Sequence, residues 1–405
     1  MKALRALPPV SAAPVTAEQL WRGLRGLWAH RNLRARRQEE FAAYLGLPHV
    51  YLMSSGKAAL YVALKALQQC APGTEVVVPA YTCFSVPSAI VKAGLRVVPC
   101  DVDPRSYDFD YDRLEQAITP QTLCILATHL FGIPADMDRI KALAAERGLF
   151  VIEDAAQACG VKCGKTLLGT SGDIGIFSFG RGKQVTCGSG GMLVTARTDI
   201  ARVLTPLYDA LPEASFTEAV TNWGLVAAMQ IFLRAWLYWI PAQLPFLKLG
   251  QTVFDPDFSV KKLSLLKAGL MEGWRKALDQ GNAIRQRHVQ QLADQLQWMD
   301  ARWRELPLLR IPVLCRSRVQ RERLKEVWHA LGLGSMYPSG INMIPALEGS
   351  HDPEAFPGAT MIAECLVTFP THHLLSDGDE ADLVRLLREW AGSDGFAIEV
   401  EKNAK

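Results

Sequence analysis

The sequence holds no CxxC pair among its nine cysteines, which are odd in number and scattered from Cys70 to Cys365. That spacing argues against a disulfide framework and against a zinc site, so no metal is expected. Charge of one sign is also lacking: 44 Lys and Arg face 41 Asp and Glu, a net charge of +3, and no strong field directs the chain to nucleic acid. Near the N-terminus, ALRALPPVSAAPV is broken by prolines before a signal-type apolar core can form. Long apolar runs are few. The strongest, LVAAMQIFLRAWLYWIPAQLPFLKLG over 225–250, is interrupted by Pro241 and Pro245, carries Arg234, and continues unbroken for only about 16 residues. That is short of the ~20 needed to span a bilayer. Together these absences predict a cytoplasmic protein, with peripheral contact on the inner face of the membrane as the one membrane role left to 225–250. Trp236, Tyr238 and Trp239 beside Pro241 predict an interfacial element there, against lipid or a dimer partner.

What is present is apolar mass: 49% of 405 residues, enough for one large domain and a smaller one. Between residues 56 and 196 helical runs alternate with short β-rich apolar runs. GKAALYVALKALQQC, FSVPSAIVKAG, 110–117 and 136–147 read as helices; EVVVPA, LRVVPCD, TLCILAT and LFVIED read as strands. Nearly continuous apolar strands separated by helices predict an α/β fold, its mostly parallel sheet covered on both faces. Ligands of such sheets sit at the carboxyl ends of the strands, which places His129, Asp154 and the residues after Phe179 near one rim. A long helix from about residue 261 then leads into a small α+β region with strands LLRIPVL and CLVTF and helices over 319–331 and 377–390. The expected division is an N-terminal arm (1–37), a large cofactor-binding domain (38–260) and a small C-terminal domain (261–405). The basic run over 21–37 reads as a solvated amphipathic helix face.

Four features fall on that rim. Ser55 and Gly56 precede a helix, whose free N–H groups and positive end bind an anion; an ordinary N-cap is the plainer reading. Asp154 follows a buried strand and needs a cationic or hydrogen-bonding partner to stay ionised, unless it too is a cap. Ser178 lies inside FSF, where its hydroxyl either meets a ligand or bonds to backbone. Lys183 sits alone in the glycine-rich stretch FSFGRGKQVTCGSGG, where a solvated loop lysine is the plain alternative. None of the four decides the matter singly, but one cofactor needs all of them. Pyridoxal 5'-phosphate requires a phosphate cradle (Ser55, Gly56, Ser178), a carboxylate at its ring nitrogen (Asp154) and a lysine for its aldehyde (Lys183). The freed amine of that lysine then serves as the proton-transferring base and acid.

MSSGKAAL, PAYTCFSVP, DVDPRSYDFD, IEDAAQACG, GTSGDIGIFSFGRGK and GSGG, in this order, resemble the motifs of the DegT/DnrJ/EryC1/StrS aminotransferases, a fold-type I branch of pyridoxal phosphate enzymes. The likeness runs from about residue 38 to 392, and its specific part is the block from Asp154 to Lys183. It implies that Lys183 holds the cofactor covalently, Asp154 faces the ring nitrogen and Gln157 bonds the phenolic oxygen. It also implies that Ser178 and the Gly56 and Lys57 amides hold the phosphate and that Phe84 stacks on the ring. Departures are Lys57 where the family usually has threonine, Cys159 for histidine, Ser189 for glutamate, and FDPDFSVKKLS where the family carries an N.R motif towards the partner subunit.

The resemblance implies a homodimeric transaminase that moves an amino group from glutamate or glutamine to the keto group of a nucleotide-linked sugar, in sugar or polysaccharide biosynthesis. A lipid-linked or apolar acceptor and a non-catalytic, regulatory relative that binds the cofactor are the alternatives. The family's dehydratase branch replaces the lysine with histidine, and Lys183 argues against it.

Overall fold

The computed structural model describes residues 6–8, 15–26, 32–233, 236–242, 252–295, 301–324, 330–349 and 351–392. A seven-stranded sheet forms the centre. Its strands are β1 (His49–Met53), β2 (Glu75–Pro79), β3 (Arg96–Cys100), β4 (Thr122–Thr128), β5 (Phe150–Asp154), β8 (Ile174–Ser178) and β9 (Gly191–Thr195), in the spatial order β1-β9-β8-β5-β4-β2-β3. The intervening β6 (Lys162–Cys163) and β7 (Thr166–Leu167) pair as a small hairpin. Five neighbouring strands run parallel and only β9 opposes them, pairing antiparallel with both β1 and β8. Every residue of β2, β4 and β9 is buried, as expected of strands covered on both faces.

Helices α1 (Ala17–Arg25), α2 (Asn32–Leu45), α3 (Gly56–Cys70), α4 (Ser85–Lys92), α5 (Tyr111–Ala117), α6 (Met137–Arg147), α7 (Thr198–Asp209) and α8 (Phe216–Phe232) follow the chain around this sheet. One face is closed by α3, α4 and α7, whose Leu60, Leu64, Leu67, Ile90 and Leu204 pack on strand residues such as Val76 and Leu126. On the other, Ile140 and Ala144 of α6 meet Val77, Ile125 and Val151. Each large apolar side chain so buried contributes ~1.5–3 kcal/mol.

The single long helix predicted from residue 261 is two helices, α10 (Leu265–Leu270) and α11 (Trp274–Gln295), after a short α9 (Trp239–Ala242). Gly273 lies between them at φ +75, a left-handed conformation that ends helical propagation and that an L side chain rarely adopts. The break turns Trp274 into the core, where its ring stacks on Phe41 with centroids 3.9 Å apart, and Phe41 in turn stacks on Phe179 at 5.3 Å. Leu266, Leu270 and Leu278 join this large-sheet core, whereas Val289 and Leu292 further along α11 belong to the core of the C-terminal unit. That unit pairs β10 (Arg310–Leu314) antiparallel with β11 (Leu366–Pro370), flanked by α12 (Arg318–Arg323), α13 (Pro357–Cys365) and α14 (Asp377–Gly392). Residues 325–329 of the helix predicted over 319–331 lie outside the described residues. The basic run is not wholly solvated: Arg37 is buried and pairs with Glu40, and Arg34 reaches Glu213 at 2.7 Å.

Candidate active site

Because β9 alone runs against its neighbours, the carboxyl ends of β1, β8 and β5 and the start of β9 meet at one rim. Register fixes the arrangement: Met53 pairs with Gly191, Ser178 also pairs with Gly191, and Asp154 lies between Thr128 and Ile176. Ser55, Gly56, Asp154, Ser178 and Lys183 therefore come from three separate stretches to one edge of the sheet.

Ser55 is the N-cap of α3, its Oγ accepting the Ala58 N–H at 3.1 Å. The cap use and the anion use are compatible, because the preceding amides of Gly56 and Lys57 still face outward from the first turn. A Cβ built on Gly56 would lie 3.3 Å from Ser178 Cβ and 3.5 Å from its Oγ. The hydroxyl of Ser178 thus stands directly beside the helix N-terminus. Gly191 closes the same cradle from behind, since a Cβ there would meet Ser55 O at 2.2 Å and the Gly56 nitrogen at 2.5 Å. The Lys57 ammonium points elsewhere, pairing with Asp255 at 3.5 Å and lying 4.6 Å from the centroid of the Phe258 ring.

Asp154 Oδ1 accepts the Ala156 N–H at 3.0 Å. Burial pushes its carboxyl above the ordinary carboxylate range, opposed by that amide, by Lys183 and by His129. Lys183 lies in the loop between β8 and β9, which is closed by Phe179 N–H to Gly190 O (2.9 Å) and Lys183 N–H to Gly180 O (3.2 Å). Its ammonium has no hydrogen-bond partner among the described residues. Burial lowers its pKa, while Cys83 and Asp154 act to raise it and Arg310 to lower it further. An anion cradle kept open by glycine, a half-buried carboxylate with no ion pair among the described residues, and a lysine with a depressed pKa fit a cofactor that brings a phosphate, a protonated ring nitrogen and an aldehyde.

Gln157 is held from both ends: its Oε1 accepts Phe131 N–H at 3.3 Å and its Nε2 donates to Tyr337 OH at 3.0 Å. Phe84 is buried at the start of α4, its N–H donating to Thr252 Oγ1 at 3.2 Å. The segment FDPDFSVKKLS, just after Thr252, packs on α4 of its own chain, with Asp255 N–H bonded to Ser88 Oγ at 2.9 Å and Lys92 Nζ to Pro256 O at 3.3 Å. At Ser189, where glutamate was expected, the hydroxyl accepts from the buried Lys267 ammonium at 2.8 Å. His129 lies behind the rim rather than on it, fully buried against Glu153.

Sequence reasoning missed Tyr81, Tyr337 and Arg310, and it placed Tyr238 at an interface, whereas that side chain is buried within the protomer. Tyr81 OH accepts Tyr337 N–H at 3.2 Å, and their rings lie 5.2 Å apart. An arginine inside the apolar strand LLRIPVL was the one available signal among these. Tyr238 is the part of the 225–250 segment that turns inward.

Sheet order, the rim of β1, β8 and β5 and the lysine loop define a fold-type I aminotransferase-like architecture, with a large α/β unit and a small α+β unit. The model of the DegT/DnrJ/EryC1/StrS aminotransferase family matches residues 25–211. The chain is 44% identical over 168 residues to a UDP-N-acetyl-3-dehydro-alpha-D-glucosamine 3-aminotransferase of Acidithiobacillus ferrooxidans, a match covering 41% of this chain and 45% of that protein. It therefore spans under half the length of that relative. Over 371 residues it is 28% identical to the dTDP-3-amino-3,4,6-trideoxy-alpha-D-glucose transaminase of Streptomyces venezuelae, covering 87% of this chain and 86% of the relative. The crystal structure of S. venezuelae DesV superposes with a TM-score of 0.72 at 26% identity, covering 93% of this chain and 94% of that one. No helix among the described residues is long and apolar enough to cross a membrane.

Proposed function

We propose that the chain is a pyridoxal phosphate-dependent aminotransferase. The observation that carries this reading is the meeting of Lys183, Asp154 and the cradle of Gly56 and Ser178 at one edge of the sheet. When bound, pyridoxal phosphate supplies an electron-accepting ring that makes the donor's Cα–H acidic. The amides of Gly56 and Lys57 with the hydroxyls of Ser55 and Ser178 would hold the phosphate, and Phe84 would pack against the ring. The Asp154 carboxylate would favour a protonated ring nitrogen, and Gln157 would bond the phenolic oxygen. Lys183 would hold the cofactor's aldehyde carbon, and its amine would serve as the base and acid that moves a proton to and from the substrate carbon. Its depressed pKa suits this, because a neutral amine is needed both as nucleophile and as base.

The donor in this reading is glutamate or glutamine, and the acceptor is the keto group of a nucleotide-linked sugar, the substrate class in the names of the relatives above. A lipid-linked acceptor is the second reading, favoured by the exposed apolar side chains Phe216, Ile231 and Trp236 on and after α8. The protein is proposed to be cytoplasmic and homodimeric, with those side chains as a covering surface. The division into a large cofactor unit (38–260) and a small C-terminal unit (261–405) belongs to the same proposal, with α11 passing from one core to the other.

The test is borohydride reduction of protein purified with pyridoxal phosphate, followed by peptide mapping. The label should sit on Lys183 alone and be absent from Lys183→Ala. A label on another lysine, or none in the wild type, overturns the reading.

A further inference from the structure

Thr128 closes β4, 8% exposed, and its hydroxyl is buried with no hydrogen-bond partner among the described residues. A buried hydroxyl without a partner is a penalty on the folded chain, and valine, of the same shape, would avoid it. Strand formation asks only for a β-branched side chain here.

The register fixes which way Thr128 faces. Along β4, Ile125 and Ala127 pack under α6, whereas Cys124 and Leu126 pack under α3 and α4, so the alternation puts Thr128 on the α3 face. Along β5, Val151 lies on the α6 face and Ile152 on the α3 face, which places Asp154 beside Thr128, its parallel register partner. Ile174 and Ile176 of β8 share that face, and Ser178 continues it to the Gly56 cradle. Thr128, Asp154 and Ser178 thus form one row of polar side chains across three neighbouring strand ends.

The two faces of this rim differ. On the α6 face the corresponding pair is complete, Glu153 accepting from His129 at 2.9 Å and from the amides of Gly169, Ser171 and Gly172. On the α3 face the pair is left open. Asp154 Oδ1 accepts the Ala156 N–H, and among the described residues no hydrogen bond reaches Oδ2. Neighbouring strands lie about 4.8 Å apart, which leaves a hydroxyl and a carboxylate in register within one side-chain rotation of each other. His129 N–H donating to Asp154 O at 3.0 Å locks the two strand ends together. On its other side β4 borders β2, where Val78, Pro79 and Ala80 offer no side-chain acceptor.

We propose that Thr128 is a positioning residue for Asp154: its hydroxyl donates to the carboxylate and holds it ionised and turned to the cofactor's ring nitrogen. The proposal rests on the aminotransferase reading above. A donor to the charged form of a carboxylate favours that form, and burial works against the charge of Asp154. A neutral hydroxyl suits the task because it adds no positive charge to compete with the ring nitrogen for the same carboxylate.

The experiment measures the Kd for pyridoxal phosphate by absorbance, beside the melting temperature of the apoprotein, in wild type, Thr128→Val, Thr128→Ser, Asp154→Asn and Asp154→Asn with Thr128→Val. The Thr128→Val apoprotein should melt no lower than wild type, because an unpaired buried hydroxyl is lost. Its Kd should rise about tenfold, the scale of a hydrogen bond to a charged group. Thr128→Ser should stay within about threefold of wild type. In the Asp154→Asn background, Thr128→Val should change the Kd less than about threefold, since the charge it serves is gone. A Kd within about threefold of wild type in Thr128→Val overturns the proposal. So does an equal loss in both backgrounds, which would mean that the hydroxyl meets the cofactor directly, and so does a Thr128→Val apoprotein that melts lower, which would make Thr128 a packing residue. A wild type that binds no pyridoxal phosphate overturns the aminotransferase reading itself, and this proposal with it.

Discussion

His129 Nε2 donates to Glu153 Oε2 at 2.9 Å, both side chains fully buried, Glu153 just before Asp154 on β5 and His129 just after Thr128, the register partner of Asp154 on β4. His129 Nδ1 accepts Ala135 N–H at 3.1 Å, which fixes the proton on Nε2. Glu153 also accepts the amides of Gly169 (2.8 Å), Ser171 (2.5 Å) and Gly172. One carboxylate therefore ties two loops to β5 and holds the Asp154 end of that strand in place.

Glu153→Gln should destabilise the fold by about 3–5 kcal/mol, since an amide NH2 would face N–H donors. Burial raises the Glu153 pKa, but His129 and the loop amides outweigh it and hold the carboxyl below 4.5. A carboxyl depressed in the folded state contributes stability above its unfolded pKa, and that contribution is lost as pH falls through the folded value. Urea midpoints measured from pH 7 downward should fall for the wild type in the acid range below 4.5. The decline should be shallower for Glu153→Gln, and equal slopes would remove Glu153 from the account.

Asp154→Asn should keep the cofactor bound and slow turnover by much more than tenfold, because a neutral amide does not favour a protonated ring nitrogen. Single-turnover rates with glutamate are the measurement. A rate within a factor of about ten of wild type, ~1.4 kcal/mol of barrier, contradicts the role given to Asp154.

Gly191→Ala places a methyl 2.2 Å from Ser55 O and 2.5 Å from the Gly56 nitrogen, both backbone atoms that cannot swing aside. The start of α3 must shift away from β9 and spoil the cradle. Affinity for pyridoxal phosphate, followed by absorbance on dialysis, should fall at least about tenfold while circular dichroism still shows a folded α/β protein. Unchanged affinity would show that the phosphate is held elsewhere.

Local pattern carried the large sheet: α3 occupies the predicted GKAALYVALKALQQC, a long helical pattern, and β4 the predicted TLCILAT, a short continuous apolar run of the kind a strand covered on both faces needs. The rim residues were legible because strand ends and a lysine loop announce themselves within a few positions. Gly273 shows the limit, since a lone glycine in a helical pattern is usually tolerated and only the demand to bury Trp274 makes it a break. Arg310, Tyr337 and Tyr238 were not legible as a group. They come from three distant stretches, and nothing local marks residues that only the packing of the small unit on the rim brings together.

The outer face of α8 carries the last prediction. Its inner face is used: Asn222 Nδ2 donates to Cys187 O at 3.0 Å in the lysine loop, Trp223 Nε1 donates to Leu20 O at 2.9 Å, and Val226 is buried. The outer side leaves Phe216 71%, Ile231 53% and, just beyond the helix, Trp236 62% exposed, with residues 243–250 of the same segment outside the described residues. Large apolar side chains left exposed along one helix mark a surface that something covers. A second copy and a lipid surface gain the same ~1.5–3 kcal/mol per large side chain, so energy does not separate them and location does. In light scattering the wild type should be a dimer, and Ile231→Glu with Trp236→Glu should turn it into folded monomers, since neither side chain supports the protomer's own core. Vesicle flotation should find neither protein bound. If instead the wild type floats with vesicles and the double variant stays dimeric but released, the face belongs to lipid, and the acceptor reading shifts from a nucleotide-linked sugar towards a lipid-linked one.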